Sequence, residues 1–554
     1  MTLAADPPRP VAAAGPRPAR SLLTARALVP PLIALLTALG YGLLGVQQWR
    51  SLDAPSWDLG IFTQLAKDYG TFSAPIVPIK GDGANLLGDH FHPILVLLAP
   101  VWWVWPSGAA LLWTQALLLG GSAIPLARLA IDRLGTVPGT LVGLAYALSW
   151  GLQAAAAVQF HEIAFGVPLL ALSLTALLRG RVRAATLWGG ALVLVKEDLG
   201  LTVLMLGLVI AWRSYTAERS HTEERSHTEE RSRAEGRRWG LGLAAWGLAW
   251  FVLSTFVILP LLNVGGRYDY TGNLGSVFDV FTPASKWQVV LMLLALAGMV
   301  GLRSPLLVLV LPTLAWRFTG TVEFYWDWTW HYSAILMPVV VAALLDALGD
   351  RRTGRAGDWT GTSAARPGAV VRGLTIGVSL AVTATLGGAL PLVDVLRPSA
   401  WQESPRLPAA ERALDALPEG AVVASDITLL ARAVPDHDVQ WVHGPNRRVP
   451  QCVLVDEQAF SWSGAPPSDP AEPEPTDPDP TSPDHTVPDP DDGTPTGGTP
   501  GEGTPSEGSG EPGEPGEGSS SGPASPGTDP AGESGGGPQD RQATTKPPSS
   551  EVTE

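Results

Sequence analysis

The chain is short of charged residues and of cysteine. Only 16% of its 554 residues are Asp, Glu, Lys or Arg, whereas 46% are hydrophobic. So few charges cannot cover an ordinary soluble domain, and the composition predicts repeated membrane crossings. The single cysteine, Cys452, cannot form an intramolecular disulfide, and no CxxC or Cys/His zinc spacing occurs. Disulfide scaffolds and thiolate metal sites are therefore excluded.

Most of the chain also lacks net charge. Residues 464–554 hold nineteen acidic residues against Arg541 and Lys546, a balance of −17, so the total of −15 leaves about +2 for the rest. That split excludes a nucleic-acid-binding surface and an acidic globular surface. Because residues 464–554 are almost all Pro, Gly, Ser, Thr, Asp and Glu, we predict a disordered acidic tail there.

Common nucleotide-binding motifs and the HExxH zinc motif are missing as well. The chain has no Walker A loop, no dinucleotide fingerprint and no HExxH, since His161 and Glu162 are followed by Ile163, Ala164 and Phe165. ATP-driven transport by this chain alone is therefore not expected.

What the chain does have is a succession of apolar segments. A helix needs about 20 apolar residues to cross the hydrocarbon of a membrane. We predict an all-α polytopic bundle over residues 25–391 with about eleven crossings, the first of them uncleaved. Pro100 and Pro106, beside three tryptophans, predict that the start of 93–127 is interfacial or re-entrant. The segments lie near 27–46, 93–127, 137–158, 163–178, 184–196, 198–212, 239–262, 287–302, 304–318, 332–348 and 371–391.

Arginine placement predicts the orientation. Basic residues gather at Arg128 and Arg133, within 179–183 and 213–238, at Arg303 and within 351–372. All fall on the cytoplasmic side of a bacterial plasma membrane if residues 1–24 form a cytoplasmic N-terminal segment. The loop 47–92, the turns at His161 and Glu197, the loops 263–286 and 320–331 and the C-terminus are then predicted outside.

Two further segments flank or interrupt the bundle. The charged cytoplasmic loop 213–238 contains the repeat ERSHTE, which is typical of a solvated linker and, as an alternative, of a docking site. After the last span, AVVASD and QCVLVDE are strand-like. Residues 392–463 are therefore predicted to form a small exoplasmic α/β unit.

Ionisable residues cluster at the outer ends of the apolar segments. The first outer loop contains WDLGIFTQ, with Asp58, and GDHFHPI, with Asp89, His90 and His92. Side chains at a bundle mouth can be shared between water and a dry interior, where their pKa values shift and acid/base roles become available. The alternative for Asp58 is a simple helix cap.

The later outer turns add more charges. QFHEIAFG places His161 and Glu162 between two spans, and LVLVKEDLGL places Lys196, Glu197 and Asp198 between the next two. Charges at such depth are costly unless they are paired or hydrated, so they are functional candidates. The alternative is an ion cluster that only locks helices together.

A third outer segment, EFYWDWTWHYSAILMP, brings Asp327, His331 and Tyr332 among aromatic residues. Aromatic faces with a few polar groups bind sugar rings, whereas Trp and Tyr at a membrane interface are also common anchors. We therefore predict His331 and Tyr332 as one wall of a site. Together the Asp, Glu and His side chains could hold a divalent metal such as Mg²⁺, Mn²⁺ or Zn²⁺, although no spacing is diagnostic and the metal stays unknown.

The ordered motifs resemble a known family. WDLGIFTQ, NLLGDHFHPILVLLAPVWW, QALLLGGSAIPLARLA, FHEIAFGVPLLAL, VKEDLGL and WHYSAILMP, spread from about Tyr41 to Trp462, resemble the bacterial membrane family called domain of unknown function 2079. In layout that family is similar to the C-superfamily glycosyltransferases, which have an acidic motif in a long first outer loop. The resemblance implies Asp58 as catalytic base, with Asp89 as its competitor, although Leu59 leaves Asp58 without a paired acid.

Three functions follow as hypotheses. The first is transfer of a sugar from a polyprenyl-phosphate donor to an exoplasmic acceptor, with His90, His161, Glu162 and Glu197 holding the donor phosphate through a metal or orienting the sugar. The second is a proton- or ion-coupled transporter or flippase that uses Lys196, Glu197 and Asp198, although the inverted repeats it predicts are not found. The third is a non-catalytic envelope-assembly protein. Membrane lipid is a partner in all three, and nucleic acid in none.

Overall fold

The computed structural model describes residues 19–219, 227–349, 368–387 and 389–459. The predicted acidic tail 464–554 lies outside these residues. So do most of the N-terminal segment 1–24 and residues 220–226 of the charged loop 213–238.

The described residues are mostly helical, as the apolar segments predict. Seven helices are long and apolar enough to cross a membrane: Arg26–Ser51, Gly108–Leu134, Thr136–Ala157, Leu199–Thr216, Arg233–Leu262, His331–Leu348 and Ala369–Leu386. Five shorter apolar helices are Pro93–Val104, Ile163–Leu178, Val182–Leu194, Ser285–Leu296 and Pro305–Thr319. The polytopic helical class is confirmed, and the count of about eleven crossings stays a prediction.

Breaks divide some of these spans into shorter helices, such as the two within Gly108–Leu134. The first ten helices are α1 Ala19–Ser51, α2 Asp58–Gly70, α3 Leu86–Asp89, α4 Ala99–Val104, α5 Gly108–Gly121, α6 Ala123–Leu134, α7 Thr136–Ala147, α8 Trp150–Ala157, α9 Ile163–Leu178 and α10 Val182–Gly190. The others described are α11 Leu199–Arg219, α12 His227–Leu253, α13 Leu259–Leu262, α14 Ser285–Leu296, α15 Leu311–Thr319, α16 Leu336–Leu348, α17 Ala369–Gly387, α18 Leu407–Asp415 and α19 Leu430–Ala433.

The long stretch 93–127 breaks where its prolines predict. The helix Pro93–Val104 ends before Pro106, and α5 begins after Ser107. The Ser107 side chain accepts a hydrogen bond from the Ala109 backbone N–H at 3.2 Å, a normal N-cap. The interfacial position of the first part stays a prediction.

Helix α16 lies at the centre of the bundle. In the span that begins at His331, 89% of the residues are buried, against 22% for Arg233–Leu262 and 17% for Ala369–Leu386. Large side chains such as Trp150, Tyr146 and Phe160 fill the core. His331 therefore enters the site from the most buried segment of the bundle.

The C-terminal unit is α/β in character. Strands β1 Val422–Ser425, β2 Asp438–Trp441 and β3 Cys452–Leu454 form a parallel sheet in the order β2-β1-β3. The central strand β1 is buried along its whole length, as expected for a strand covered on both faces. Val422 pairs with Asp438, and Val423 pairs with Cys452.

This sheet packs directly on α2. Lys67 donates to the backbone oxygens of Val434 and His437 at 2.8 and 3.0 Å. The Trp57 and Trp441 rings meet edge to face with centroids 4.8 Å apart. Residues up to 459 thus belong to one compact unit, in which the sheet holds the beginning of α2 and Asp58 in place.

Candidate functional site

The predicted site residues lie where helices break. Asp58 is the first residue of α2, Asp89 ends α3 and His90 follows it. His161 and Glu162 separate α8 from α9, Lys196, Glu197 and Asp198 precede α11, and His331 and Tyr332 form a 3-10 turn before α16. We call this set, with its contacting side chains, the polar cluster.

Lys196 and Glu162 form a buried ion pair. The Lys196 Nζ lies 2.8 Å from the Glu162 Oε1, and only 4% of the Glu162 side chain is exposed. Burial alone would raise the pKa of Glu162, but Lys196 and the nearby histidines outweigh burial and lower it to about 2. The attraction also raises the pKa of Lys196 against the effect of burial, so both groups stay charged.

Glu197 forms a second pair, with His90. The His90 Nδ1 lies 2.8 Å from the Glu197 Oε1, and the Phe91 backbone N–H donates to the other carboxylate oxygen at 3.0 Å. The Tyr268 hydroxyl adds a third donor at 3.2 Å. Burial opposes ionisation, yet the charge and hydrogen bond of His90, together with the charge of Lys196, lower the pKa of Glu197 to about 2. Glu197 is therefore a fully engaged carboxylate.

Asp58 faces His161. The His161 Nε2 lies 3.4 Å from the Asp58 Oδ2, and its Nδ1 lies 3.2 Å from the Gln159 backbone oxygen. Because both ring nitrogens face acceptors, the doubly protonated imidazolium fits this position. Burial opposes both charges, but the mutual attraction raises the pKa of His161 and lowers that of Asp58. The start of α2 has no side-chain cap hydrogen bond, so the carboxylate is oriented by His161.

Asp89 pairs with Lys80, which lies at 2.8 Å from its Oδ2. The Tyr270 hydroxyl donates to the other oxygen at 2.9 Å, and the Tyr270 ring stacks on His90 with centroids 4.5 Å apart. Burial would raise the pKa of Asp89, but Lys80 and His90 hold it well below its usual range. Two tyrosines of the loop 263–286 thus cover this side of the cluster.

Asp198 differs from its neighbours. Its Oδ2 accepts a hydrogen bond from the Trp316 indole N–H at 3.0 Å, while its buried Oδ1 has no partner. Burial, only partly offset by Lys196, raises the pKa of Asp198 to about 6. A carboxylate with a free oxygen and a pKa near neutrality can take up or release a proton under physiological conditions.

His331 lies among potential cations. Its ring stacks on the His161 ring with centroids 3.7 Å apart, and its buried Nδ1 has no hydrogen-bond partner. Lys196, Arg317 and His90 also lie close enough to act on it electrostatically. His161, Lys196 and His90 already have carboxylate partners, so Arg317 is the cation here that would favour an additional anion.

Arg317 is more deeply buried than Lys196 and His90. Its side chain is fully buried, its Nε donates to the Tyr325 backbone oxygen at 2.5 Å, and its Nη1 donates to the Ser333 Oγ at 3.1 Å. Its Nη2 is buried without a partner, and no described carboxylate forms an ion pair with it. A buried guanidinium of this kind calls for a counter-ion.

Aromatic rings connect Arg317 with Asp198. Trp316, Tyr325 and Tyr332 meet edge to face at centroid distances of 5.3 to 5.6 Å. The Arg317 guanidinium lies 5.9 Å from the Tyr332 ring centre. We call these three rings the aromatic wall, and a carboxylate and a guanidinium flank it.

Two of the sequence candidates take other roles. His92 is buried against Phe62, with ring centroids 6.1 Å apart, and burial lowers its pKa to about 4, so it is neutral at physiological pH. Asp327 accepts hydrogen bonds from the backbone and side chain of Thr329 in its own turn. Neither forms an ion pair with the polar cluster.

Sequence reasoning missed five contacting residues. Lys80, Tyr268, Tyr270, Trp316 and Arg317 are all absent from the predicted set. Arg317 interrupts the apolar run LPTLAWRFTG, and the rule that singled out Lys196 would have found it. The other four carry no such signal.

The polar cluster does not fit the divalent metal considered from the sequence. In the part of the chain that is described, no three His, Cys, Asp or Glu side chains are arranged to hold a metal ion. Lysine or histidine already engages the carboxylates of Asp58, Asp89, Glu162 and Glu197. No step is therefore derived through a metal.

Comparison with known proteins identifies the family. Residues 48–468 match the family model described as "Predicted membrane protein (DUF2079)", and the chain belongs to that family. No curated protein matches the chain. The resemblance drawn from the ordered motifs is confirmed, together with the assignment to a membrane.

Proposed function

We propose that the protein is a membrane glycosyltransferase that moves a sugar from a polyprenyl-phosphate donor to an acceptor hydroxyl at the outer face of the membrane. The observation that carries the proposal is that two incompletely satisfied groups flank the aromatic wall. Arg317 is a buried cation without a carboxylate partner among the described residues, and Asp198 is a carboxylate with a free oxygen. A sugar phosphate offers the groups that such a site lacks: an anion, hydroxyls and a ring.

The donor phosphate is assigned to Arg317. A guanidinium presents planar N–H donors that match phosphate oxygens, and its unpartnered Nη2 is free to donate. Lys196 and His331 add positive charge or donors nearby. The sequence hypothesis gave this role to Glu162, Glu197, His90 and His161 acting through a metal or orienting the sugar, and we assign the phosphate to the cations instead.

The sugar is assigned to the aromatic wall. Trp316 and Tyr332 present apolar ring surface with polar edges, which suits a sugar ring. The free Oδ1 of Asp198 can accept a hydrogen bond from a sugar hydroxyl. The polyprenyl chain lies among the apolar helices, since only the phosphate and the sugar need polar contacts.

Asp58 is assigned as the general base. Its side chain is 28% exposed, more than those of the other paired acids, so an acceptor can reach it. The acceptor oxygen forms a bond to the anomeric carbon as the bond from that carbon to the phosphate oxygen breaks. The acceptor proton passes to Asp58, and polyprenyl phosphate leaves with the bonding electrons. General-base help contributes a factor of about 10² to 10⁴.

The test compares lipid-linked sugars and envelope glycans in cells with and without the gene, by mass spectrometry. Loss of the protein should accumulate one polyprenyl-phosphate-linked sugar and remove that sugar from an envelope glycan. Asp58→Asn should reproduce the loss because it keeps the shape and removes the basicity, and Arg317→Gln should weaken transfer through donor binding.

Matched controls separate chemistry from folding. Asp53→Asn removes an acid five residues before Asp58, and Arg267→Gln removes an exposed arginine of the loop 263–286. Both should restore transfer, and all variants should reach the membrane in equal amounts. Unchanged glycans and lipid-linked sugars in the deletion strain would refute the proposal. A change in solute or ion uptake instead would favour the transporter, with Lys196 and Glu197 as its residues.

A further inference from the structure

The loop 263–286 exposes large apolar side chains. Val277, Phe278 and Phe281 are between 62% and 75% exposed, and all three belong to the 3-10 turn Val277–Phe281. Such a helix has three residues per turn, so the rings of Phe278 and Phe281 lie on the same side of it. We call these three side chains the loop patch. A contiguous apolar patch of this kind marks a surface that contacts another molecule or a membrane.

The polar groups of the same turn bond to the protein instead of to water. The Asp279 carboxylate accepts a hydrogen bond from the Ser276 backbone N–H at 2.7 Å, and the Ser276 hydroxyl accepts one from the Phe278 N–H at 3.2 Å. Val280, the remaining apolar residue of the turn, packs against the core of the bundle. The turn therefore satisfies its polar groups internally and leaves its two rings outside, which is the reverse of what a loop in water favours.

A buried lysine fixes the turn in this position. The Lys286 Nζ donates to the backbone oxygens of Asp279 and Phe318, each at 2.7 Å, and lies 4.1 Å from the Trp326 ring centre. Phe318 belongs to α15, so the lysine joins the turn to the end of that helix. The rings of the loop patch are consequently held outwards by a rigid support.

The loop patch continues the exposed apolar side of α14. The Phe281 ring stacks on the Trp287 ring with centroids 6.2 Å apart. Trp287 and Leu291 are both exposed, and residues four apart lie on the same face of a helix. Because the sequence predicts a membrane span at 287–302, these two side chains face acyl chains. The same apolar surface thus extends from the helix onto the loop.

We propose that the loop patch is inserted into the outer leaflet of the membrane, with Val277, Phe278 and Phe281 among the outer ends of the acyl chains. Interfacial elements bury their apolar face about 5 to 10 Å into the boundary between headgroups and chains. A protein partner fits less well, because a stable interface uses roughly 20 to 30 residues on each side and the patch offers three large side chains. Arginine placement predicts the outer leaflet.

Insertion would fix the depth of the aromatic wall. The Gly275 N–H donates to the Thr319 backbone oxygen at 2.7 Å, and the Thr321 N–H donates to that of Asn273 at 2.9 Å. The Asn273 side chain also donates to the Tyr325 hydroxyl at 3.0 Å. The loop patch and the aromatic wall therefore belong to one hydrogen-bonded unit, and the patch holds that unit at the membrane surface. This role needs no transferase activity.

The single cysteine makes a site-specific test available. In a Cys452→Ser background, an environment-sensitive fluorophore is attached to Phe278→Cys, and the full-length protein is placed in phosphatidylcholine nanodiscs, which leave both faces open to solution. The label should emit at shorter wavelength than in water, be quenched by lipids brominated near the headgroup end of their chains, and be protected from aqueous iodide. Leu291→Cys is the control for a lipid-facing position, and Val449→Cys, an exposed apolar residue of the C-terminal unit, for a water-facing one.

Each outcome decides the proposal. Quenching at Phe278 by brominated lipid, as at Leu291, would support it. Quenching by iodide, as at Val449, would overturn it because the patch would lie in water. Quenching by neither would also overturn it, since the patch would then be covered by protein. The fluorophore reports on the membrane alone, so failure here would leave the proposed transferase activity untouched.

A second pair of variants tests the two rings. With the label at Val277→Cys, the double variant Phe278→Glu with Phe281→Glu should move the label from lipid into water, because a carboxylate is strongly disfavoured among acyl chains. The double variant Phe278→Leu with Phe281→Leu keeps the surface apolar and should leave the label in lipid. Equal quenching by iodide in the two double variants would show that the rings do not insert the loop.

Discussion

The two ends of the bundle hold buried charge in different ways. At the predicted cytoplasmic end, Arg213 of α11 donates to Asp346 of α16, and Ser304 donates to the same carboxylate oxygen at 2.5 Å. Both charged side chains are less than 5% exposed and stand on regular helices. At the other end, most charges of the polar cluster stand in turns or at helix ends, with Arg317 inside α15 as the exception, and several are one-fifth exposed or more.

We call the Arg213–Asp346 pair the clamp, because its role is structural, whereas the polar cluster is suited to bind a ligand. A buried ion pair between two regular helices holds the helices together, and separating its charges would be unfavourable. Charges in turns can exchange their partner for a ligand or for water. The polar cluster also contains Arg317, a buried cation without a carboxylate partner among the described residues.

Orientation gives an all-or-none result. A reporter enzyme that is active only outside the cytoplasm should be inactive when fused after Arg238 and active when fused after Trp462, because arginine placement puts the former inside and the latter outside. A fluorescent protein that folds only in the cytoplasm should give the opposite pattern. Activity of the first reporter after Arg238 would mean that this loop lies outside the cytoplasm and that the predicted orientation is wrong.

Breaking the clamp should cost the most stability. Arg213→Met leaves Asp346 buried without its partner, and such a change costs about 3 to 5 kcal/mol. Thermal unfolding in detergent should show a large fall in the apparent Tm. The double variant Arg213→Met with Asp346→Leu removes both charges and should recover most of the loss. Equal stability of the single and double variants would show that the pair does not clamp α11 to α16.

Neighbouring acids of the polar cluster should respond in opposite directions. Glu197→Gln breaks the pair with His90 and should lower stability at neutral pH by about 3 kcal/mol. Asp198→Asn removes a buried charge that has no basic partner in hydrogen-bond contact, and should raise it. The two variants differ by one position, so each controls for the other.

The pH dependence follows from the two pKa values. The folded-state pKa of Glu197 is lowered to about 2. Ionised Glu197 therefore stabilises the fold fully above the ordinary pKa of a glutamate, and this stabilisation is lost as the pH falls from there through the folded-state pKa. The folded-state pKa of Asp198 is raised to about 6, so its ionisation destabilises the fold above that pH and has no effect well below its ordinary value. The gain from Asp198→Asn, measured as apparent Tm from pH 8 to pH 4, should therefore shrink as the pH falls. A gain that does not change with pH would contradict the assignment.

The sequence predicted the elements better than their contacts. Apolar length and proline position predicted the apolar helices and the break near Pro106, and strand-like runs predicted the strands around Val422 and Val453. Polar interruptions such as Glu162 and Lys196 pointed to the cluster, because a charge among apolar residues is visible in one dimension. The pairing of Glu162 with Lys196 and of Glu197 with His90 depends on which turns meet in space, and no local pattern encodes that.

The same limit explains the metal expectation. Acids and histidines near each other in sequence are consistent with metal ligands, but the structure shows each acid of Asp58, Asp89, Glu162 and Glu197 facing a cation. Arg317 was overlooked because its segment was considered as a span only. A guanidinium in an apolar helix is as informative as a carboxylate in a turn.

The smallest predicted effect concerns the loop 263–286, whose Tyr268 and Tyr270 side chains contact the polar cluster. Tyr270→Phe removes the hydroxyl that donates to Asp89 and keeps the ring that stacks on His90, so it should cost about 1 kcal/mol. Tyr270→Ala removes both contacts and should cost more. Asp89 keeps Lys80 in either variant, so the cluster itself should survive. If thermal unfolding shows that neither variant differs from the wild type, then the loop does not stabilise the cluster, and Asp89 is more open to a ligand than these contacts indicate.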